Sequence, residues 1–158
     1  MFPRKPTRLP NFDYRGAWRY SLTFCAAHKR ETFTNPTIVT ELVQQLTRTC
    51  DEQRFELIAY CFMPDHLHLL VQGAHHDSHL PTFCRLVRQR MAHAYARQAG
   101  ARLWQPGYFE RVLREEEQTD QCANYILSNP IRAGLVRSFE EHSFSGGTWF
   151  EQSIAGPG

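Results

Sequence analysis

Lysine is nearly missing from this chain of 158 residues: two lysines stand beside sixteen arginines. Arginine's planar fork suits paired contacts to phosphate oxygens, so the imbalance favours an anionic partner rich in phosphate. Long apolar runs are also missing. The longest fall far short of the roughly 20 residues that a membrane helix needs, and Met1-Phe2-Pro3-Arg4-Lys5-Pro6 lacks the apolar stretch of a signal peptide. Paired cysteines are absent as well: Cys25, Cys50, Cys61, Cys84 and Cys122 form an odd set with no C-x-x-C spacing. That argues against a disulfide framework or a cysteine zinc site, and for free thiols in a reducing cytoplasm. No internal repeat or low-complexity block is visible. What remains, 42% hydrophobic and 22% charged, is the composition of one globular domain with a sizeable core.

Acidic residues are scarce at the start of the chain. Residues 1–30 carry Arg4, Lys5, Arg8, Arg15, Arg19, Lys29 and Arg30 against Asp13 alone, although the net charge is only +2. A second basic cluster holds Arg85, Arg88, Arg90, Arg97 and Arg102, while acids gather late, at Glu115-Glu116-Glu117, Asp120 and Glu140-Glu141. A solvated surface explains most such charges; the one-sided beginning raises nucleic acid as a partner.

Residues 1–16, with three prolines, read as an irregular basic arm. Trp18 to Ala26 alternates and is rich in β-formers, which predicts a strand. Pro36 opens a helix to about Arg54, with Ile38, Leu42, Val43 and Leu46 at helical spacing. Phe55 to Met63 and His66 to Gln72 are strands joined by the Pro64-Asp65 turn as a hairpin. A helix from about Pro81 to Gln98, a strand from Gly107 to Arg114, and a helix from about Glu117 to Ser128 follow. A short helix over Ile131 to Ala133 ends at Gly134, and the tail beyond Val136 reads as irregular. The order βαββαβ predicts an α+β fold of the ferredoxin-like kind, an antiparallel sheet with two helices on one face. The opposite face would be open to a ligand or covered by the C-terminal helix.

On a strand, His66 and His68 project from one face and Leu67 from the other. Two imidazoles on one rigid strand are half of a metal site. By itself the pair is weak evidence, since 8 histidines in 158 residues give about 0.4 such pairs by chance. A half-exposed polar sheet face, or one core histidine bonded to a carbonyl, is the plain alternative. Tyr125 and Asn129, four apart, share a helix face. A phenol can attack as a nucleophile, and an amide oxygen can ligate a hard cation. Equally, Tyr125 fits a core aromatic and Asn129 a helix cap. Combined, the four residues offer metal-assisted attack of a tyrosine on a phosphodiester. A phenolate leaves more readily than a sugar alkoxide, so the resulting phosphotyrosine bond stays open to resealing.

Three blocks sharpen this reading. Pro64-Asp65-His66-Leu67-His68-Leu69-Leu70-Val71, Trp104-Gln105-Pro106-Gly107-Tyr108-Phe109-Glu110-Arg111-Val112-Leu113-Arg114, and Tyr125-Ile126-Leu127-Ser128-Asn129-Pro130-Ile131-Arg132-Ala133-Gly134-Leu135-Val136 resemble, in order, the signature blocks of the single-tyrosine HUH transposases. HUH denotes histidine, bulky hydrophobic residue, histidine. The resemblance is closest to the REP-associated tyrosine branch.

It implies an HUH catalytic domain over 17–136, flanked by the arm 1–16 and the tail 137–158. It implies action on single-stranded DNA with hairpins as recognition elements, by a monomer or homodimer with no membrane association. It also implies a divalent ion, Mg²⁺ or Mn²⁺, held by His66 and His68 with Asn129 as third ligand. Related transposases carry glutamine there, so Asn129 is one methylene shorter. Tyr125 is the implied nucleophile, forming a 5′-phosphotyrosine and releasing a 3′-hydroxyl; Tyr108 and Tyr95 are its competitors. Arg4, Lys5, Arg8, Arg85, Arg88 and Arg114 are the candidate DNA contacts. The loop His75-His76-Asp77-Ser78-His79 is rich in ligand atoms and could take up zinc adventitiously. The alternative functions are a hairpin-binding module or repressor that keeps the fold without catalysis, and a metallophosphoesterase that uses water.

Overall fold

The computed structural model describes residues 9–138 and 141–155. The elements run β1 (Arg19–Cys25), α1 (Pro36–Gln53), β2 (Phe55–Met63), β3 (His66–Gly73), α2 (Leu80–Ala99), β4 (Phe109–Leu113), α3 (Glu116–Leu127), α4 (Asn129–Arg132), β5 (Ser145–Gly146) and α5 (Thr148–Ala155). The sheet order is β4-β1-β3-β2-β5, with every pairing antiparallel. β1 and β2 are therefore parallel to each other on either side of β3, the split βαβ arrangement expected of a ferredoxin-like fold. The histidine-bearing strand is central.

Local chemistry sets the boundaries. The Asn35 side chain accepts from the Thr37 amide at 2.9 Å, Pro36 fills the first helical turn, and Arg54 closes α1 in the left-handed conformation at φ 58. α2 ends at Gly100, φ 64. At the start of α3, Gln118 Oε1 accepts from the Arg114 and Glu115 amides at 3.1 and 3.3 Å.

Strand alternation divides the interior into two layers. Tyr20, Leu22, Phe24, Leu67, Leu69 and Val71 face α1 and α2, meeting Leu42, Leu46, Phe83, Val87 and Met91. The other face carries Ala59, Cys61, Met63, Leu70 and Leu113 and packs against Ala123, Ile126 and Leu127 of α3. A register shift between Leu57 and Ala59 lets β2 serve both layers: Phe55 and Leu57 face the first, and beyond the extra residue it is Tyr60 and Phe62 that do.

The tail is more ordered than the expected irregular segment. β5 pairs with the β2 edge through Tyr60↔Gly146 and Cys61↔Ser145, and the Phe62 amide donates to Phe144 O at 2.9 Å. A turn through Gly147, φ +117, brings in α5; a Cβ at this glycine would land on the Ile58 carbonyl oxygen. Trp149 and Phe150 of α5 then pack against the second layer, and Trp149 Nε1 donates to Asp120 Oδ1 at 3.1 Å. This order comes from pairing and burial supplied by β2 and α3, since eight residues are too few to hold a helix alone. Among the described residues, no helix is long and apolar enough to cross a membrane.

Candidate active site

β3 carries His66 and His68 on the sheet face opposite Leu67 and Leu69. Each imidazole is held from its far side. Asp65 Oδ1 lies 2.7 Å from His66 Nδ1, and because a carboxylate only accepts, that nitrogen carries the hydrogen. Thr23 Oγ1, on the neighbouring β1, lies 3.1 Å from His68 Nδ1. The two Nε2 atoms consequently turn towards each other and stand 3.1 Å apart.

Two imidazole nitrogens this close could together hold one divalent ion. Protonation agrees with this. Burial, with His66 and Arg132 adding like charge, pushes the His68 pKa down to about 3. His68 is therefore a neutral imidazole at physiological pH, the form that binds a metal. Orienting partners on the outer nitrogens of metal-binding histidines are the usual means of fixing tautomer and ring angle. The donor set fits a divalent ion.

α3 brings the remaining parts. Its apolar stripe, Ala123, Ile126 and Leu127, docks on the sheet and leaves Tyr125 on the outer side, 60% exposed. Ser128 keeps helical angles, φ −84 and ψ −5, between α3 and α4, so Asn129 continues in nearly the helical phase of Tyr125 although it opens the next helix. His66, His68, Tyr125 and Asn129 all line one cleft of about 590 Å³. Two separate stretches of sequence thus line one cleft.

The competing tyrosines lie elsewhere. Tyr95 lies on α2 and is buried in the first layer. Tyr108 precedes β4 and packs edge-on against Phe24 at 5.5 Å, also on the α1/α2 side. Among the described residues lining the cleft, Tyr125 is the one tyrosine.

The expected DNA contacts divide. Arg4, Lys5 and Arg8 lie outside the described residues. Arg85 is exposed on α2 beside Pro81, Thr82 and Tyr108, on the other side of the sheet from the histidines. Arg88 is drawn inward. Its guanidinium carbon sits 4.8, 5.4 and 5.5 Å from the ring centroids of Phe24, Trp104 and Tyr108, and Nη2 donates to Gln105 O at 3.0 Å. That environment makes it an internal cation that ties α2 to the 104–108 segment. Arg114 is exposed just beyond β4 and does not line the cleft.

Several cleft residues escaped the sequence reading. Ser21 and Thr23 come from the polar side of β1, and Arg111 stands opposite Ser21 on β4. Gln118, Gln121 and Cys122 come from α3. Burial raises the pKa of the Cys122 thiol, opposed by a Ser21 hydrogen bond and the Arg111 charge. The signal for Thr23 and Arg111 was their alternation within predicted strands; what lacked was the order of those strands. Arg132, which does not line the cleft, makes contacts that depend on a tight turn between two helices and that no local period reveals. The loop after β3 does gather His75, His76 and Asp77, with ligand atoms within 4.8 Å of one another, away from the cleft and largely exposed.

Residues 16–129 match the family model described as "Transposase IS200 like". A Haemophilus influenzae protein classed among the REP-associated tyrosine transposases is 26% identical over 122 residues, 68% of this chain and 67% of that protein. The REP-associated tyrosine transposase of Escherichia coli K12 is 24% identical over 94 residues, 60% of this chain, and the match spans 55% of that relative's length. Among solved structures, a REP-associated tyrosine transposase bound to a REP hairpin has the same fold, with a TM-score of 0.76 at 20% identity, covering 95% of this chain and 86% of that one. With its central strand carrying the histidine pair and most of its length matched by one family model, the chain belongs to the IS200-like transposases.

Proposed function

We propose that this protein nicks and rejoins single-stranded DNA beside hairpins, using Tyr125 as the nucleophile. The observation that carries the proposal is the convergence of Tyr125, His66, His68 and Asn129 on one open cleft. Hairpin DNA is favoured as the substrate class by the arginine-rich composition and by kinship with REP-associated tyrosine transposases, one of which is solved with a REP hairpin. The same kinship supports a cytoplasmic location, with the cell's DNA.

The residues divide the work. His66 and His68, with Asn129 Oδ1, would hold Mg²⁺ or Mn²⁺. When bound there, the ion supplies Lewis-acid polarisation of the phosphodiester and offsets charge that develops on it. Asp65 and Thr23 keep the two imidazoles turned inward. Arg111 adds a positive charge at the β4 side of the cleft, suited to a neighbouring phosphate. Tyr125 Oη forms the bond to phosphorus and gives up its proton. The P–O3′ bond breaks, and the departing strand takes a proton to become a 3′-hydroxyl. Rejoining reverses these events: a 3′-hydroxyl attacks phosphorus and the tyrosine oxygen leaves. The number of phosphoester bonds is unchanged, so no nucleotide cofactor is needed.

The test is incubation of the full chain with Mn²⁺ and labelled hairpin oligonucleotides carrying single-stranded flanks from its own genome. A covalent protein–DNA adduct should form with the native protein and be absent with Tyr125→Phe. No adduct from the native protein on cognate substrate, or an undiminished adduct from the variant, would sink the mechanism. Cleavage that survives loss of Tyr125 but not of His66 would point to water as the nucleophile.

A further inference from the structure

α4 is a single turn whose last residue, Arg132, folds back over the junction with α3. Its guanidinium carbon lies 4.0 Å from the centroid of the Tyr125 ring. From there Nη2 donates to the Tyr125 carbonyl at 2.8 Å and to Asn129 Oδ1 at 3.1 Å, while Nη1 bonds to Ser128 Oγ. These hydrogen bonds all end on neutral oxygens.

One part of this is ordinary helix capping. A basic side chain that bonds a last-turn carbonyl satisfies an orphan acceptor and complements the helix dipole. Capping accounts for the Tyr125 carbonyl. It does not account for the ring stack or for the hold on Asn129.

An asparagine side chain can turn either its oxygen or its NH₂ to a given partner. A guanidinium has only donors, so beside Arg132 the Asn129 oxygen is the favoured face, and that oxygen has a second lone pair for the cleft. Asparagine has one fewer torsion than glutamine, so a single hydrogen bond fixes its oxygen well. The stack acts on the other partner. Tyr125 is 60% exposed and has little protein on its outer side, and the flat guanidinium supplies a wall there.

We propose that Arg132 is a positioning residue that couples the nucleophile to the ligand set, stacking on the Tyr125 ring while it presents Asn129 Oδ1 to the cleft. The inference rests on the assignment of Tyr125 and Asn129 made above.

The experiment compares full-length native protein with Arg132→Ala and Arg132→Lys. Four quantities are read: melting temperature, hairpin affinity in EDTA, Mn²⁺ affinity by calorimetry without DNA, and single-turnover adduct formation. Arg132→Ala should bind Mn²⁺ about 10-fold more weakly and form adduct at least about 10-fold more slowly, the usual cost of losing a residue that orients a metal ligand. Hairpin affinity should stay within about threefold. Arg132→Lys should recover most of the Mn²⁺ affinity but not the rate, because an ammonium can donate to Asn129 yet cannot stack and bond as a plane. Native Mn²⁺ affinity and native rate in Arg132→Ala would overturn the proposal. So would a rate loss matched by an equal loss of hairpin affinity, which would make Arg132 a DNA phosphate contact. If the alanine variant melts too low to assay, a native rate in Arg132→Lys overturns it and a slow rate at native melting temperature supports it. Absence of any adduct from native protein overturns the nuclease assignment instead, and the Mn²⁺ comparison still decides whether Arg132 holds Asn129.

Discussion

Thr23 on β1 stands directly opposite His68 on β3, and its Oγ1 lies 3.1 Å from His68 Nδ1 in a buried setting. A hydroxyl on one strand thereby orients an imidazole on the next. Thr23→Val keeps the shape and removes the hydrogen bond. It should cost about 1 kcal/mol of stability and weaken Mn²⁺ binding by about 10-fold. Calorimetric titration of the variant with Mn²⁺ checks this; native affinity would show that Thr23 does not orient His68 for a metal.

Tyr108 lies in a signature block, yet its ring packs on Phe24 on the sheet face away from the histidines. Tyr108→Phe should therefore leave adduct formation near native, since the phenylalanine ring preserves the packing and the residue does not line the cleft. Loss of the adduct in this variant, with Tyr125 intact, would reassign the nucleophile.

Cys50 at the end of α1 is buried, and burial pushes its thiol from 9.0 up to about 12. Between these values the unfolded chain loses the thiol proton and the folded chain keeps it. The folded state then binds more protons, so stability falls as pH rises from about 9 to about 12, with a slope of up to about 1.4 kcal/mol per pH unit from this one group. Denaturant titrations between pH 8 and 11 should show this alkaline decline, and Cys50→Ala should flatten it. An identical slope in the variant would assign the decline to other groups.

Gly73 closes β3, and a Cβ there would land on the Gly16 carbonyl oxygen. Backbone cannot yield as a flexible side chain can. Gly73→Ala should destabilise the protein by about 2–3 kcal/mol, read as a lowered denaturant midpoint at unchanged m-value. A native midpoint would mean that the 16–18 segment moves aside at little cost.

Much of this architecture was legible before any coordinates. The Phe55–Met63 strand and the one from His66 follow from apolar runs broken by Pro64-Asp65, and α1 starts at Pro36 as expected. The short pair β5 and α5 was not legible. Two residues have no periodicity, and Thr148–Ala155 becomes helical only with Trp149 and Phe150 seated on the second layer. Arg88 reads from sequence as a candidate DNA contact because its place on α2 does not reveal the three aromatic rings that surround it.

By itself the sequence determined the order of elements and the shared strand face of His66 and His68. It also determined the helical spacing of Tyr125 and Asn129, because those are matters of local period. Only the tertiary structure decided that these faces meet. The β4-β1-β3-β2 order sets Thr23 beside His68 and Arg111 near the same cleft, and the docking of α3 on the sheet brings Tyr125 into its lining. It likewise decided that Arg132 folds over Tyr125 and Asn129. Such contacts depend on strand order and on the path of a turn, which the period of side chains along a single element does not specify.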